Sequence, residues 1–402
     1  MENEADWSDV SIFAGFKNNM VLTQERQVSR KKVRLATTVF FFISGFGYSS
    51  WASRIPSVQQ QLSLSEAQLG AVLLAAPVGL MLTMPFTSVL LGKVNNRKIM
   101  FIGAILYNVV LCLPGFTNKT WQLLLVLLAF GSTRNLLNLS ANSQAVGVQK
   151  LFDRSIMTTF HGIWSLAGFA GAGVGFIMVY LNIATSFHLL TVSIVLIALS
   201  AFFYKNTFDQ PPVQQSKKPL FLLPDKHLMK FAIICFGCMS CENTMYDWSA
   251  IYFHKTVGAT QSSANGAFVI YMVCMTIGRF AGDKLVPMLG VKKILNLCGW
   301  FIFTGFLFAV ILPFPVTAGI GFALVGFGVS CIVPLVFSMA GRSKTMSSGQ
   351  ALAAISTIGY LGFLLVPPVV GFVAQATNLR WSFGLIAVLG AVIIAMVSTI
   401  KE

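Results

Sequence analysis

The sequence predicts an all-α membrane protein of twelve transmembrane helices, arranged as two pseudo-symmetric six-helix bundles. Composition gives the first reason: 402 residues that are 55% hydrophobic and only 10% charged carry too much apolar surface for one soluble core, since soluble domains hold about 25% charged residues. Run length gives the second, because crossing ~30 Å of hydrocarbon takes ~20 apolar residues and the chain holds twelve such runs. The third is internal repetition, described below. Helices rather than open strands follow because a backbone amide in lipid must be paired within its own segment or around a closed barrel.

The runs fall at 35–53, 68–92, 99–116, 122–147, 157–181 and 184–204, then at 228–253, 262–282, 294–312, 315–339, 349–374 and 381–400. Between the sixth and seventh the composition turns polar, basic and proline-containing, from Asn206 to Pro219. Such a stretch reads as a linker between two halves. The organisation is therefore a tail over 1–34, a bundle over 35–204, a linker over 205–227 and a second bundle over 228–402. The tail is polar and basic and carries no cleavage-site pattern before the first span, so it is expected as a disordered cytoplasmic segment and the span as a retained anchor. Ile12, Phe13, Phe16 and Met20 offer the alternative of a segment lying on the membrane surface.

A formal charge of +15 could indicate a nucleic-acid partner, but the position of the charge argues otherwise. With the N-terminus inside, all but five of the 28 Lys and Arg residues fall on the cytoplasmic side; Arg54, Lys119, Lys255 and Arg380 fall outside and Arg134 lies within a span. This is the positive-inside distribution of a multi-pass protein. An even span number puts both termini in the cytoplasm. The seven cysteines all lie inside spans. Cys235, Cys238 and Cys241 recur at helical spacing, but buried free thiols more often fill space than bind metal, and neither a metal nor a cofactor is expected.

Three alignments relate the halves. Tyr48-Ser49-Ser50-Trp51-Ala52 lies opposite Tyr246-Asp247-Trp248-Ser249-Ala250 at an offset of 197 when Trp51 is matched to Trp248. Ser88 to Lys98, with its basic end Lys93, Arg97 and Lys98, matches the stretch from Asp283 at an offset of 195. Ser165-Leu166-Ala167-Gly168 matches Ser356-Thr357-Ile358-Gly359 at 191. Parallel six-span repeats related by an axis along the membrane normal are an established transporter architecture.

Gly278-Arg279-Phe280-Ala281-Gly282-Asp283-Lys284, followed by Gly290-Val291-Lys292-Lys293, resembles the cytoplasmic loop signature of the major facilitator superfamily. Asn142-x-Gln144, His161-Gly162-x-x-Ser165-x-x-Gly168 and Glu242 followed by Asp247-Trp248-Ser249-Ala250-x-Tyr252 are similar to a poorly characterised bacterial branch near the fucose permeases. Asn138 and Gln149 stand where relatives often have acids, a departure that bears on proton coupling through the fourth span. The resemblance implies secondary active transport of a small solute, with a sugar as first candidate, across a bacterial inner membrane. Efflux by the same fold and a non-transporting sensor are the alternatives. No Walker loop accompanies the spans, and no paired metal ligands of an intramembrane hydrolase are present, so an enzyme is not expected. The expected partners are the solute, protons and the bilayer, with the chain acting as a monomer.

Ionisable groups deep in spans cost about 2.5–3.5 kcal/mol on insertion scales and so mark function. Arg134, Asn138 and Asn142 recur every four residues along the fourth span, which lines them on one helix face. Arg134 lies about 18 Å into its helix, close to midplane. Its expected roles are attracting an anion or pairing with Glu242, at similar depth in the seventh span. Glu242 and Asp247 are candidate proton carriers, and His161 a candidate relay. Trp164 and Tyr360 are candidate apolar platforms for the solute. Trp51 and Trp248 read first as membrane-interface anchors. In the loop signature, Gly278 and Gly282 permit close helix contact, while Asp283 is expected at the cytoplasmic helix end, where the helix dipole disfavours it. The resemblance implies a latch between Asp283 and either the start of the eleventh span near Gly349 or nearby bases such as Arg279, with Lys284 beside it. Ser88 replaces Asp283 in the first copy, so the latch should be stronger in the C-terminal half.

Overall fold

In the computed structural model the described residues are 8–152, 156–209, 212, 223–343 and 345–400, with side chains described from Arg30 onward except at Thr158, Ser348 and Gly349. Most of the linker and the first seven residues of the tail lie outside this set. The described residues form helices: α1 (Ser8–Ala52), α2 (Ile55–Gln61), α3 (Glu66–Leu73), α4 (Ala75–Lys93), α5 (Asn96–Cys112), α6 (Thr120–Gln149), α7 (Met157–Tyr180) and α8 (Thr185–Tyr204) in the first half. The second half holds α9 (Lys226–Lys255), α10 (Gln261–Leu289), α11 (Val291–Ile311), α12 (Pro315–Ala340), α13 (Ser348–Ala376) and α14 (Leu379–Ser398).

Ten segments are long and apolar enough to cross a membrane by length and composition, α3 and α4 together forming one. The two remaining spans are α1 and α9, which carry Tyr48-Ser49-Ser50-Trp51 in the last turns of α1 and Cys241-Glu242-Asn243-Thr244 near the middle of α9. Their polar residues lower the mean hydropathy. These are repeat-related helices, and both face the centre of the molecule.

The halves pack alike. In the first, α1 meets α6, α7 and α8, α4 and α5 meet α6, and α5 meets α8. In the second, α9 meets α12, α13 and α14, α10 and α11 meet α12, and α11 meets α14. Shifting each first-half helix to its repeat partner reproduces the same pairings, so the duplication read from three short alignments extends through the whole bundle. Across the halves α7 packs on α10 and α13 packs on α3.

Several boundaries differ from expectation for identifiable reasons. The second span is broken at Leu74, between α3 and α4. Pro77 cannot donate to the Leu73 carbonyl and its ring crowds it, so the helix resets there. The third span ends in a 3₁₀ turn, Leu113–Phe116, at Pro114. α10 runs on to Leu289 through Pro287, so Asp283 lies inside the helix rather than at its end. The tail expected to be disordered is helical from Ser8 onward. Trp51 (3% exposed) and Trp248 (0%) are buried in the bundle, not anchored at an interface. Each lies in a continuous buried stretch of its helix or helix end, 47–56 around Trp51 and 248–253 from Trp248.

The faces of the bundle are closed differently. On the face opposite the linker, Lys255 Nζ lies 2.6 Å from Glu66 Oε1 and the Gln261 amide donates to Ser57 Oγ at 3.1 Å, both across the halves. Beneath them α3 and α13 cross in backbone contact: a Cβ on Gly70 would stand 2.5 Å from the Pro367 carbonyl oxygen, and one on Gly371 2.5 Å from that of Glu66. The first half is pinned at the same end, where Arg54 (3% exposed) donates from Nε to His188 Nδ1 at 2.9 Å and from Nη2 to the Ile183 carbonyl at 2.9 Å. On the linker face the Arg97 guanidinium holds the Tyr204 carbonyl at 2.9 Å and covers its ring at 4.7 Å. The Gln144 amide donates to the Phe208 carbonyl at 2.8 Å, tying the start of the linker to the first bundle.

Asp225 caps α9 by accepting from the Leu228 amide at 2.8 Å. A hydrogen bond from the Thr345 hydroxyl, and then that amide, hold its carboxyl below the usual carboxylate range. The cap's contribution is therefore present above the unfolded carboxylate pKa and is lost as pH falls through the lowered folded value.

Glycines set the α4–α6 distance. A Cβ on Gly131 would collide with the Ala76 carbonyl, and one on Gly79 with the Leu128 carbonyl. Neither obstacle is a side chain that can rotate away. Gly131→Val is expected to destabilise the protein by at least about 3 kcal/mol, the upper end of overpacking costs, read as loss of monodisperse protein and a lowered melting temperature in detergent. An unchanged melting curve would contradict this packing.

Candidate functional site

A cavity of about 230 Å³ lies between the halves, lined from the first half by α1, α4 and α6 and from the second by α9 and α13. Its position follows from the polar faces of those helices. The four-residue spacing of Arg134, Asn138 and Asn142 puts all three on its wall, and Asp247 and Tyr360 face it from the second half. Five residues singled out in the sequence thus converge on one space. Three others do not line it: Glu242, His161 and Trp164.

Arg134 is held without an acid. Its guanidinium carbon stands 3.6 Å from the centroid of the Tyr48 ring, a cation–π contact, and the Tyr48 ring meets that of Tyr246 across the halves in a tilted contact, centroids 4.9 Å apart. Arg134 Nε is buried with no hydrogen-bond partner, and no carboxylate oxygen among the described residues comes within ion-pair distance of the guanidinium. The expected Arg134–Glu242 pair is therefore absent among the described residues. Tyr48 occupies the face of Arg134, and Glu242 is committed elsewhere.

The amides around Arg134 are partly engaged. Asn138 Oδ1 accepts from Ser44 Oγ at 2.6 Å, and the Asn142 amide donates to the Asn138 carbonyl at 2.8 Å. Asn135 donates to Thr83 and Thr87 at 3.3 and 3.1 Å, tying α6 to α4. On the opposite wall Asn243 Nδ2 donates to Asp247 Oδ2 at 3.1 Å. Tyr48, Asn135 and Asn243 were missed in the sequence. Asn243 carried a signal, standing four residues before Asp247 and hence on the same helix face. Tyr48 appeared only as part of a repeat match.

Glu242 (8% exposed) faces Arg279 instead, with Oε1 3.7 Å from Nη2. Arg279 Nη1 donates to Ser165 Oγ of α7, and its guanidinium stands 5.9 Å from the Trp164 ring. The Thr276 hydroxyl reaches the Ser165 carbonyl at 3.3 Å. A charged group of the second half is thus joined to the first half through one serine. Trp164 Nε1 donates to Ser44 Oγ at 3.3 Å, and Ser44 in turn holds Asn138. A chain of contacts therefore links Glu242 to the cavity wall. His161 is exposed and meets Phe41 edge-on at 5.5 Å.

In the loop signature the glycines do what their size allows. A Cβ on Gly278 would stand 2.5 Å from Ser330 Oγ, and one on Gly282 would meet Cys331 Sγ, so both set the α10–α12 contact within the second half. Arg279 points to the interior and not towards Asp283. Asp283 and Lys284 are exposed, and their side chains make no hydrogen bond or ion pair to another described residue. The expected contact near Gly349 falls outside the described side chains. The described cysteines are free, and no cluster of three or more metal-ligating side chains occurs among the described residues.

Two six-helix repeats enclosing a charged central cavity define a membrane transporter fold. The Major Facilitator Superfamily model matches residues 37–348, and the chain belongs to that superfamily. An uncharacterised MFS-type transporter of Yersinia pestis is 33% identical over 89% of this chain and 92% of its own length. The membrane protein MosC of Rhizobium meliloti is 27% identical over 90% of this chain and 89% of its own. Among solved structures, the nucleoside transporter NupG superposes with a TM-score of 0.72 over 92% of this chain and 100% of its own, at 14% identity. An inward-facing, occupied bacterial homologue of the human lysosomal transporter Spinster gives 0.70 over 92% and 96%, at 13%. At these identities the two structures establish the fold alone.

Proposed function

We propose that the chain is a secondary transporter that moves a small polar solute across the bacterial inner membrane by alternating access, coupled to protons and acting as a monomer. The observation that carries this reading is Arg134: a near-midplane arginine with an orphaned Nε and no carboxylate partner, aimed into a cavity whose walls come from both halves. A charge so placed is costly in lipid, and a solute that pairs with it offsets that cost. Both walls belong to one chain, which supports a monomer. The lysine and arginine distribution supports a cytoplasmic linker face. On that orientation the Glu66–Lys255 contact and the α3–α13 crossing close the external side. The resemblance to the fucose permeases alone suggests a sugar, but a neutral solute would leave Arg134 without a counter-charge, so the cavity favours a solute that carries charge.

Glu242 is the proposed proton site. Its carboxylate form pairs with Arg279; on protonation that attraction disappears, and Arg279 is left with Ser165 across the halves. Proton uptake thereby loosens a junction between α7, α9 and α10, a bistable element of the kind alternating access requires. Asp283 is the proposed cytoplasmic latch of the state in which the linker face closes. Asp283→Asn should then shift the population towards the inward-open state, and unchanged cysteine accessibility from the linker face would argue against the latch.

The external closure is testable without knowing the solute. Cysteines at Ser57 and Gln261 should cross-link and arrest transport, with recovery on reduction. Full activity of the cross-linked protein would rule out movement of the halves at that face.

A further inference from the structure

Resting on the reading of this cavity as a solute site, we propose that the solute is a compact zwitterion, with its carboxylate on Arg134 and its ammonium group on Asp247. The two groups face one space from opposite halves, Arg134 on α6 and Asp247 on α9. Neither is neutralised by an ion pair to a described residue. Tyr48 covers the face of the guanidinium at 3.6 Å, which leaves the planar N–H edge as its binding surface, the edge that takes a carboxylate through two parallel hydrogen bonds. Asp247 Oδ2 accepts from Asn243, while Oδ1 takes no hydrogen bond from a described residue and is free for a cationic donor.

The formal charges at the cavity cancel. An anionic solute would satisfy Arg134, leave Asp247 without a counter-charge and carry a net negative charge into a low-dielectric site; a cation would do the reverse. A zwitterion pairs both groups and keeps the site neutral. The small volume, about 230 Å³, favours a compact molecule in which the two charges lie a few bonds apart. The apolar body of such a solute has Trp51, Phe130 and Tyr360 to rest against. Because the poles sit on different halves, a ligand that binds both draws the halves together, so the same contacts that select the solute also bias the conformational equilibrium.

The test uses full-length purified protein in lipid nanodiscs and matched probes: amino acids, their deaminated carboxylic acids, their decarboxylated amines, and neutral sugars and polyols. The zwitterionic member of a matched set should bind at least about tenfold more tightly than either singly charged relative. Arg134→Gln should reduce its affinity to that of the amine, and Asp247→Asn to that of the acid. Arg134→Lys, which keeps the charge but loses the paired N–H edge, should fall between and guards against misreading a folding defect. Binding of a neutral sugar, unchanged by Arg134→Gln, would overturn the zwitterion assignment while leaving the solute cavity intact. Stabilisation by no class of probe would overturn the cavity reading itself.

Discussion

Glu242→Gln is expected to abolish the proton dependence of net transport while sparing solute exchange, and to lower the melting temperature in detergent. The stability loss arises because glutamine leaves the Arg279 charge in the interior without its carboxylate, and breaking one side of a buried pair costs about 3–5 kcal/mol. The 3.7 Å separation and the remaining Ser165 contact place this case at the low end of that range. Combining Glu242→Gln with Arg279→Gln removes both charges and should restore much of the stability, a non-additivity expected of directly coupled residues. Proton-driven accumulation that persists in Glu242→Gln would remove Glu242 from the coupling step. Equal additivity of the two substitutions would show that the pair is energetically inert.

Arg134→Gln should separate function from folding. A structural arginine would destabilise the bundle on removal, because its partners would be left unpaired. Arg134 has no carboxylate partner and an orphaned Nε, so replacing it by a neutral residue of similar reach should leave the melting temperature unchanged or raise it. Solute binding should fall by about tenfold or more, the worth of a lost charge-assisted hydrogen bond. Stability retained or gained with activity lost is the signature of a functional group kept at a cost to the fold. A markedly lowered melting temperature would mean that the Tyr48 contact, not the solute, is what Arg134 serves.

The helices and their grouping were legible because both obey simple rules: apolar length for a membrane span, and repetition for the two halves. The helix breaks were less legible. Pro77 interrupts the second span, whereas Pro85, Pro334 and Pro367 are absorbed within theirs, and sequence alone does not distinguish a proline whose freed carbonyl finds another donor from one whose carbonyl does not. The cavity wall on α6 was legible from the spacing of Arg134, Asn138 and Asn142. The partner of Glu242 was not. Arg279 belongs to a motif read as part of a cytoplasmic loop, yet α10 extends to Leu289 and places Arg279 ten residues from its end, deep enough to meet α7 and α9. Tyr48 was hidden for a related reason: aromatic rings are common in such spans, and only tertiary placement over a guanidinium gives this one a role. Trp51 and Trp248 looked like interface anchors because they stand near span ends, but their helices lie at the centre of the bundle, where no lipid interface exists.

The most direct test of the account is counterflow in reconstituted vesicles. Protein loaded on the inside with the tightest-binding probe should drive transient accumulation of the labelled probe against its gradient, and Arg134→Gln should abolish that overshoot. Saturable binding of the probe with no counterflow in the unmodified protein would contradict transport and leave a membrane sensor built on the same fold.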